Sequence, residues 1–353
     1  MLVPDDLETP AVVVDAQRVE RNLSRMAAAA AAAGVALRPH AKTHKCVPIA
    51  ERQLAHGATG VTVATLAEAE LFADGGCPSV FIAYPLWAGS GDRGRRLAAL
   101  AGRTDLRVGV DSAAAASRLA GAVPGLRVLI EVDSGQHRSG ILPAQAGELA
   151  ASCVALGLRV TGAFTHPGHA YGSPATVGDA AADERAALAA AGAALADYVA
   201  GTPELSGGSS PTAASGLAAP LTEVRPGTYV FGDRQQVHLS GIDVEDVALV
   251  VAARVVSVPR RGEAVLDAGS KALSSDRPAW LTGHGLILEA PEATIGMLSE
   301  EHAVVHGLSG HWRVGDLVRV VPNHVCTVVN LTSELLVVAD GAVSERWPVR
   351  ARR

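Results

Sequence analysis

Aromatic residues are scarce in this chain, at 3% of 353 positions, and its four cysteines are far apart without CxxC spacing. This spacing argues against a disulfide scaffold and fits a protein of the reducing cytoplasm. The apolar run at 26–37 is mostly alanine and too short to cross a bilayer. The acidic start at 1–6 lacks the apolar stretch of a signal peptide, so we expect neither export nor membrane insertion.

An excess of positive charge is also missing, because 30 Lys and Arg face 36 Asp and Glu for a net charge of −6. That balance excludes the basic footprint of a nucleic-acid-binding protein, and only a short tail at 350–353 is basic. With 48% hydrophobic and 19% charged residues, a large buried core is expected and disorder is not. The length suits two domains, or one large barrel with an appendage.

Up to about residue 230, short apolar runs typical of strands alternate with helical segments. Strands are predicted at 11–14, 36–39, 60–64, 79–84, 106–110, 128–132, 160–165 and 204–207. Apolar strands that alternate with helices predict a parallel sheet covered by helices. Seven to eight such units predict a closed (β/α)8 TIM-type barrel, which we place at 10–238.

The pattern changes near residue 240, where strand-like runs follow one another with few helical stretches. These runs are 247–258, 263–267, 301–305, 317–321, 325–330 and 335–338. They predict a mainly antiparallel β domain at 239–353, with residues 1–9 as a candidate addition to it.

A basic octapeptide, Arg38 to Lys45, follows the second predicted strand. It places Lys42 near the carboxyl end of an early strand, the side on which α/β folds assemble their chemistry. A lysine there is suited to hold an aldehyde cofactor as a Schiff base. A solvated basic turn is the structural alternative.

A glycine-rich turn at 206–210 follows the eighth predicted strand, and another at 225–228 comes next along the chain; their backbone N–H groups suit a phosphate. They are equally typical of ordinary turns. A third pattern, GxGxxG at 89–94, matches a dinucleotide-binding fingerprint, but Pro85 to Ala88 separates it from its strand. A loop before a helix explains it better.

The tripeptide His324-Val325-Cys326 is a candidate metal site. In a strand, residues two apart point to the same face, so an imidazole and a thiolate would converge on one ion. These donors favour zinc and leave coordination positions open for water or substrate. Ordinary packing in a β domain is the alternative.

Taken together, these segments resemble the fold-type III pyridoxal phosphate (PLP) enzymes, the alanine-racemase-like barrels, and within them the D-threonine aldolase and D-serine dehydratase family. The resemblance covers nearly the whole chain in order. The matching stretches are RPHAKTHK at 38–45, VATLAEAE at 63–70, EVDSGQHRSG at 131–140, PGHAYG at 167–172, SGGS at 206–209, RPGTYVFG at 225–232, DAGSKALSSD at 267–276, LSEEH at 298–302 and PNHVC at 322–326.

The resemblance implies a role for particular residues. Lys42 would form the Schiff base with PLP, and Arg138 and Tyr171 would lie at the active site beside it. Contacts to the cofactor phosphate are implied for Gly208, Ser209, Gly227 and Thr228. The implied ligands of a divalent metal, with zinc favoured and manganese as an option, are His324 and Cys326.

The implied function is that of a PLP- and metal-dependent lyase for β-hydroxy D-amino acids, assembled as a homodimer. The HxC metal motif resembles the zinc-dependent dehydratases, whereas aldolase-type members carry an aspartate, so loss of water to give a keto acid and ammonia is favoured. Retro-aldol cleavage to glycine and an aldehyde is the alternative. An amino-acid racemase, a non-catalytic PLP carrier and a nicotinamide dehydrogenase are weaker alternatives.

Overall fold

The computed structural model describes residues 1–352, which separate into two compact units. The barrel unit contains Arg25–Lys42 and Val47–Gly227. The β unit contains Met1–Ser24, Thr43–Cys46 and the chain from Thr228 onward. The domain boundary that the sequence predicts between residues 238 and 239 stays a prediction.

Within the described residues of the barrel unit, eight parallel strands form one sheet in the order β2-β9-β8-β7-β6-β5-β4-β3. A parallel bridge between His40 and Thr62 links the β2 end of this order to β3. The strands are β2 (Ala36–Leu37), β3 (Val61–Val63), β4 (Ser79–Ile82), β5 (Asp105–Val110), β6 (Arg127–Glu131), β7 (Arg159–Phe164), β8 (Glu204–Gly207) and β9 (Glu223–Val224). The predicted (β/α)8 fold class is confirmed.

Helices alternate with these strands, and several begin at a side-chain cap. The Thr65 hydroxyl accepts the Glu68 N–H at the start of α3, and Ser112 caps α5 in the same way. The helices are α2 (Val47–Ala55), α3 (Leu66–Asp74), α4 (Asp92–Ala101), α5 (Ala113–Ala122), α6 (Ala146–Ala155), α7 (Val177–Ala194) and α8 (Ser210–Ala214). Helix α1 (Ala16–Ala32) precedes them. The glycines at 89–94 belong to the loop and first turn of α4, in agreement with the interpretation as a loop before a helix.

Side chains of the barrel strands alternate between two environments, because successive residues of a strand point to opposite faces. Val80 and Ile82 are fully buried in the large apolar core that includes the helices. Between them, Phe81 packs in a separate cluster with Leu129 and Phe164. Arginine and glutamate side chains share this second environment, which therefore becomes a polar barrel interior.

The β unit is built on a mainly antiparallel sheet with the order β13-β14-β11-β10-β1-β16-β17, and β15 joins β10 and β12. Its strands are β1 (Ala11–Asp15), β10 (Leu249–Ser257), β11 (Glu263–Leu266), β12 (Leu286–Ile287), β13 (Thr294–Leu298), β14 (Ala303–His306), β15 (Leu317–Val321), β16 (Glu334–Ala339) and β17 (Ala342–Pro348). The helices α9 (Arg234–Leu239), α10 (Ser270–Leu273) and α11 (Val325–Leu331) accompany them, and this unit also contains the first half of α1.

Two strand predictions are wrong. The strand predicted at 11–14 as part of the barrel is β1, which pairs with β10 and β16 of the β unit, and β9 supplies the eighth barrel strand. The strand predicted at 325–330 is helix α11, because the buried Asp233 carboxylate accepts the Val325 N–H at 2.9 Å and caps a helix there. In residues 1–352, no helix has the length and hydrophobicity that a bilayer span needs.

Candidate functional site

The lysine of the basic octapeptide lies where the sequence predicts, just past the carboxyl end of β2. The Arg38 N–H donates to Val224 O at 2.9 Å, and the His40 N–H donates to Pro226 O at 3.0 Å. These bonds extend the pairing with β9 beyond the strand itself. Lys42 follows in the one-turn 3₁₀ helix Ala41–Thr43.

Two half-buried imidazoles, His40 and His166, lie close to Lys42, and neither is predicted from the sequence as a site residue. Burial lowers the pKa of His40 well below its usual value, and the Lys42 and Arg225 cations lower it further. Burial also lowers the pKa of His166 well below its usual value, aided by Lys42 and then Arg138. Both imidazoles are therefore neutral at neutral pH, so each ring has one nitrogen that can accept a hydrogen bond.

The three predicted catalytic residues all lie near His166. Lys42 and Arg138 both influence its pKa, and the Tyr171 ring lies 6.4 Å from its own, centroid to centroid, with a tilt of 35°. The barrel unit thus brings Lys42, Arg138 and Tyr171 around one neutral imidazole. The sequence signal for His166 was its position directly after β7.

The loop after β6 carries Arg138 and contains a turn closed by a side chain. Asp133 Oδ1 accepts the N–H groups of Gly135 at 2.9 Å and His137 at 3.1 Å. Arg138 is exposed, while Glu131 at the end of the strand is buried. Glu131 accepts the Ser139 hydroxyl at 2.7 Å, and burial raises its pKa.

A second arginine, Arg225, is buried in the barrel interior at 5% exposure. It donates to Ser206 Oγ at 2.5 Å and to Thr165 O at 2.6 Å, and its guanidinium lies 5.3 Å from the Phe164 ring centroid. Burial lowers its pKa to about 10, so the group stays protonated at neutral pH. It supplies a fixed positive charge that the sequence interpretation missed, although Arg225 lies inside the RPGT segment.

The loop after β8 contains the predicted phosphate contacts Gly208 and Ser209, but their N–H groups already have partners. The Gly208 N–H donates to the Glu184 carboxylate, and the Ser209 N–H donates to Thr212 Oγ1 at 3.0 Å. Ser210, at 3% exposure, differs from them because its Oγ is buried without a hydrogen-bond partner in the described chain. An orphaned buried hydroxyl suits a phosphate oxygen, because burial without a partner is costly.

The segment at Arg225-Pro226-Gly227-Thr228 offers a similar feature. Gly227 is the last residue assigned to the barrel unit, and Thr228 begins the 3₁₀ turn Thr228–Val230. Thr228 is 5% exposed, and its Oγ1 lacks a hydrogen-bond partner within residues 1–352. Each orphaned hydroxyl, at Thr228 and at Ser210, fits a ligand that supplies acceptor oxygens.

The predicted metal ligands lie at the start of helix α11 rather than in a strand. The argument that they share one face of a strand is therefore wrong, whereas the imidazole and thiolate remain the candidate donors. His324 precedes the helix, and its Nδ1 lies 2.8 Å from Asp276 Oδ2. The Cys326 thiol donates to Thr43 Oγ1 at 3.3 Å. Burial alone would lower the pKa of His324, but the Cys326 and Asp276 groups outweigh it and raise the pKa well above its usual value.

This arrangement fits a divalent ion. A hydrogen bond from Nδ1 to a carboxylate leaves Nε2 of His324 as the metal-binding nitrogen, a common arrangement at metal sites. Among the residues described, no three His, Cys, Asp or Glu side chains are grouped as a metal cage. An ion held by the imidazole and the thiolate would keep coordination positions for water or substrate, as an open catalytic site requires.

Comparisons with known proteins agree with these observations. Residues 14–235 match the family model of the alanine racemase N-terminal domain, and residues 248–338 match that of a putative serine dehydratase domain. The chain is 36% identical to D-threo-3-hydroxyaspartate dehydratase of Delftia sp. (strain HT23), over 97% of each chain.

Two solved structures share the architecture. D-threonine aldolase from Filomicrobium marinum has a TM-score of 0.89 at 31% identity, over 100% of this chain and 98% of that one. A cysteine-to-alanine mutant of D-threo-3-hydroxyaspartate dehydratase in the metal-free form has a TM-score of 0.89 at 32% identity, over 98% of each chain. The chain belongs to the D-threonine aldolase and D-serine dehydratase family of PLP-dependent lyases, on the alanine-racemase-like fold.

Proposed function

We propose that this protein removes water from β-hydroxy D-amino acids, giving a keto acid and ammonia, with PLP and a divalent metal as cofactors. The observation that carries the proposal is the position of Lys42 at the carboxyl end of β2, beside two neutral imidazoles and two arginines. The relatives support the reaction class, because they include a dehydratase and an aldolase of β-hydroxy D-amino acids.

When bound, PLP supplies an electron sink for the charge that develops at the substrate Cα. Lys42 would hold the cofactor and, once released by the substrate, its amine can take the Cα proton. A base held on one face of the substrate would enforce stereochemistry. His166 is neutral and near Lys42, so its ring can accept a hydrogen bond from the lysine amine or from the substrate hydroxyl.

Three groups would bind the cofactor and substrate anions. Arg138 is exposed in the loop after β6, where it can meet a substrate carboxylate. The buried hydroxyls of Ser210 and Thr228 have unused hydrogen-bonding capacity for the cofactor phosphate. In this proposal they take over the contacts implied for Gly208 and Ser209, whose N–H groups are already engaged.

His324 and Cys326 would hold the metal, and the Asp276 carboxylate would fix the imidazole orientation. A Lewis acid stabilises the charge on a hydroxide leaving group, which is otherwise poor. The donor pair favours zinc, with manganese as the second choice. The metal-free form of the related dehydratase mutant supports a metal in this family.

The purified protein should be tested with D-serine, D-threonine and D-3-hydroxyaspartate, each with added zinc or manganese. We expect keto acid and ammonia in equal amounts. Glycine with an aldehyde would instead assign retro-aldol cleavage, and racemised amino acid would assign a racemase. No turnover of any of them, in a protein that binds PLP, would contradict the proposal.

The decisive variant is Lys42→Ala, with Lys271→Ala as its control because Lys271 is an exposed lysine paired with Glu301 at 2.5 Å. Lys42→Ala should lose both the yellow colour of covalently bound PLP and all turnover, whereas Lys271→Ala should keep both. Turnover by Lys42→Ala at the native rate would refute the assignment.

We also propose that the protein forms a homodimer and is located in the cytoplasm. The four cysteines form no disulfide in the described chain, which suits a reducing compartment. Light scattering should give about twice the 36.0 kDa mass of one chain. A mass of a single chain at micromolar concentration would contradict the dimer.

A further inference from the structure

Helix α7 carries a buried carboxylate, Glu184, that the reaction described above does not use. Glu184 is 2% exposed and lies in the middle of the helix. Burial raises its pKa to about 6, so it carries a negative charge in the interior at neutral pH. Such a group is costly unless it is hydrogen-bonded, and its partners therefore indicate its role.

Those partners lie in the loop after β8. Glu184 Oε1 accepts the Gly208 N–H, and the carboxylate also interacts with the Thr212 hydroxyl at the start of α8. Gly207 leaves the necessary space, because a Cβ at that position would lie 2.5 Å from Glu184 Oε1. Gly208 has a φ of +81°, which a side chain would strain. Glu184 thus fixes Gly208 through a hydrogen bond and lies close against Gly207.

Glu184 determines what the turn presents to a ligand. The Gly208 N–H points to helix α7 and the Ser209 N–H to Thr212, so neither is available to an anion. The hydroxyl of Ser210, two residues after Gly208, remains buried without a hydrogen-bond partner in the described chain. Without Glu184, the Gly208 N–H would lack its buried acceptor and the turn could reorient.

We propose that Glu184 is a positioning residue for the cofactor phosphate, acting through the Gly207–Ser210 loop. The inference rests on the proposed function, because it assumes that this loop receives the phosphate of PLP. Glu184 acts in two ways: its oxygen fixes the loop, and its negative charge behind the loop opposes a phosphate dianion.

The second effect makes phosphate binding depend on pH. The groups that face Glu184 are the Gly208 N–H, the Thr212 hydroxyl and the cations Arg225 and Arg185. As the pH rises through about 6, Glu184 ionises and its repulsion of an anion grows. By linkage, phosphate binding favours protonated Glu184, so ionisation of Glu184 should lower the affinity across this range relative to a variant that cannot ionise there, in which only the phosphate titrates.

The test uses the full-length protein stripped of PLP and two ligands without an aldehyde, pyridoxine 5′-phosphate and pyridoxine. Neither can react with Lys42, so their affinities, measured by calorimetry at pH 5.5 and 8, report non-covalent binding alone. Glu184→Gln keeps the acceptor and removes the charge, whereas Glu184→Leu removes both. Asp179→Asn, an exposed carboxylate on the same helix, is the control.

We expect Glu184→Leu to weaken pyridoxine 5′-phosphate binding about tenfold at pH 5.5, as expected for a lost buried hydrogen bond, without affecting pyridoxine. Glu184→Gln should bind about as tightly as the native protein at pH 5.5 and more tightly at pH 8, and Asp179→Asn should behave as native. If Glu184→Leu does not fold, the inference is tested by Glu184→Gln alone, through the ratio of its affinities for pyridoxine 5′-phosphate at pH 5.5 and pH 8.

Native affinities and pH ratios in both Glu184 variants would overturn the inference while leaving the proposed function intact. Failure of the native protein to bind pyridoxine 5′-phosphate, together with a colourless protein as purified, would reject the proposed function and this inference with it.

Discussion

Neutralising Glu223 should be among the changes that lower the free energy of unfolding of this protein most. Its Oε2 accepts from Arg38 Nε at 2.6 Å and from Arg107 Nη2 at 2.7 Å, and its Oε1 accepts the Ser206 hydroxyl at 2.6 Å. All four side chains are buried in the barrel interior. Glu223→Gln keeps the shape but leaves two buried guanidinium groups without their shared carboxylate.

The magnitude follows from two independent arguments. Burial alone would raise the pKa of Glu223, but the Arg107 and Arg38 cations outweigh it and lower the pKa to about 2, against an ordinary 4.5. That difference corresponds to roughly 3 kcal/mol of stability. Removing one partner of a buried ion pair costs about 3–5 kcal/mol. The loss expected for Glu223→Gln is therefore at least about 3 kcal/mol.

The assay is urea unfolding followed by circular dichroism at pH 7, with Glu70→Gln as the control. Glu70 pairs with Arg96 at 2.5 Å on the surface, and a pair of that kind contributes about 0–1 kcal/mol. Because the pKa of Glu223 is depressed, its contribution is complete above pH 4.5 and disappears as the pH falls through about 2. Equal losses for the two variants at pH 7 would refute the reasoning.

The remaining predictions concern the metal site. Cys326→Ala should weaken zinc binding, measured by calorimetry, and keep the yellow colour of bound PLP; loss of both would assign Cys326 a folding role instead. EDTA treatment should abolish turnover, which zinc or manganese restores, and full activity in stripped protein would exclude a catalytic metal. Asp276→Asn removes the carboxylate that orients His324 and should lower zinc affinity about 10–100-fold; native affinity would show that this contact does not orient the ligand.

Much of the fold could be predicted from local patterns, because each barrel strand is a short apolar run followed by a helical segment. Patterns of this kind predicted strands that overlap β2 to β8 and placed Lys42 at the end of β2. In β5 the charged Arg107 is followed by Val108, and in β9 Glu223 is followed by Val224. Successive strand residues point to opposite faces, so such pairs are the sequence signal of a polar barrel interior.

Other features depended on distant partners. The pKa values of His166 and His40 are lowered because the fold desolvates these imidazoles near Lys42 and Arg225. Glu184 reaches the Gly208 N–H, 24 residues away in sequence, across the gap between a helix and a strand end. Its spacing from Val177 and Leu188 places it on the buried face of the helix, but no local pattern identifies its partner.

Residue types and short spacings are enough to predict the alternation of strands and helices, the lysine at a strand end and the imidazole–thiolate pair. The pairing of β1 with β10 and β16 rather than with barrel strands, and the helix that begins at His324, are seen only in the folded chain. The physical reason is the same in both cases. Strand pairing and helix capping depend on hydrogen bonds between residues far apart in the chain. An example is the Asp233 carboxylate, which accepts the Val325 N–H at the start of the helix after His324.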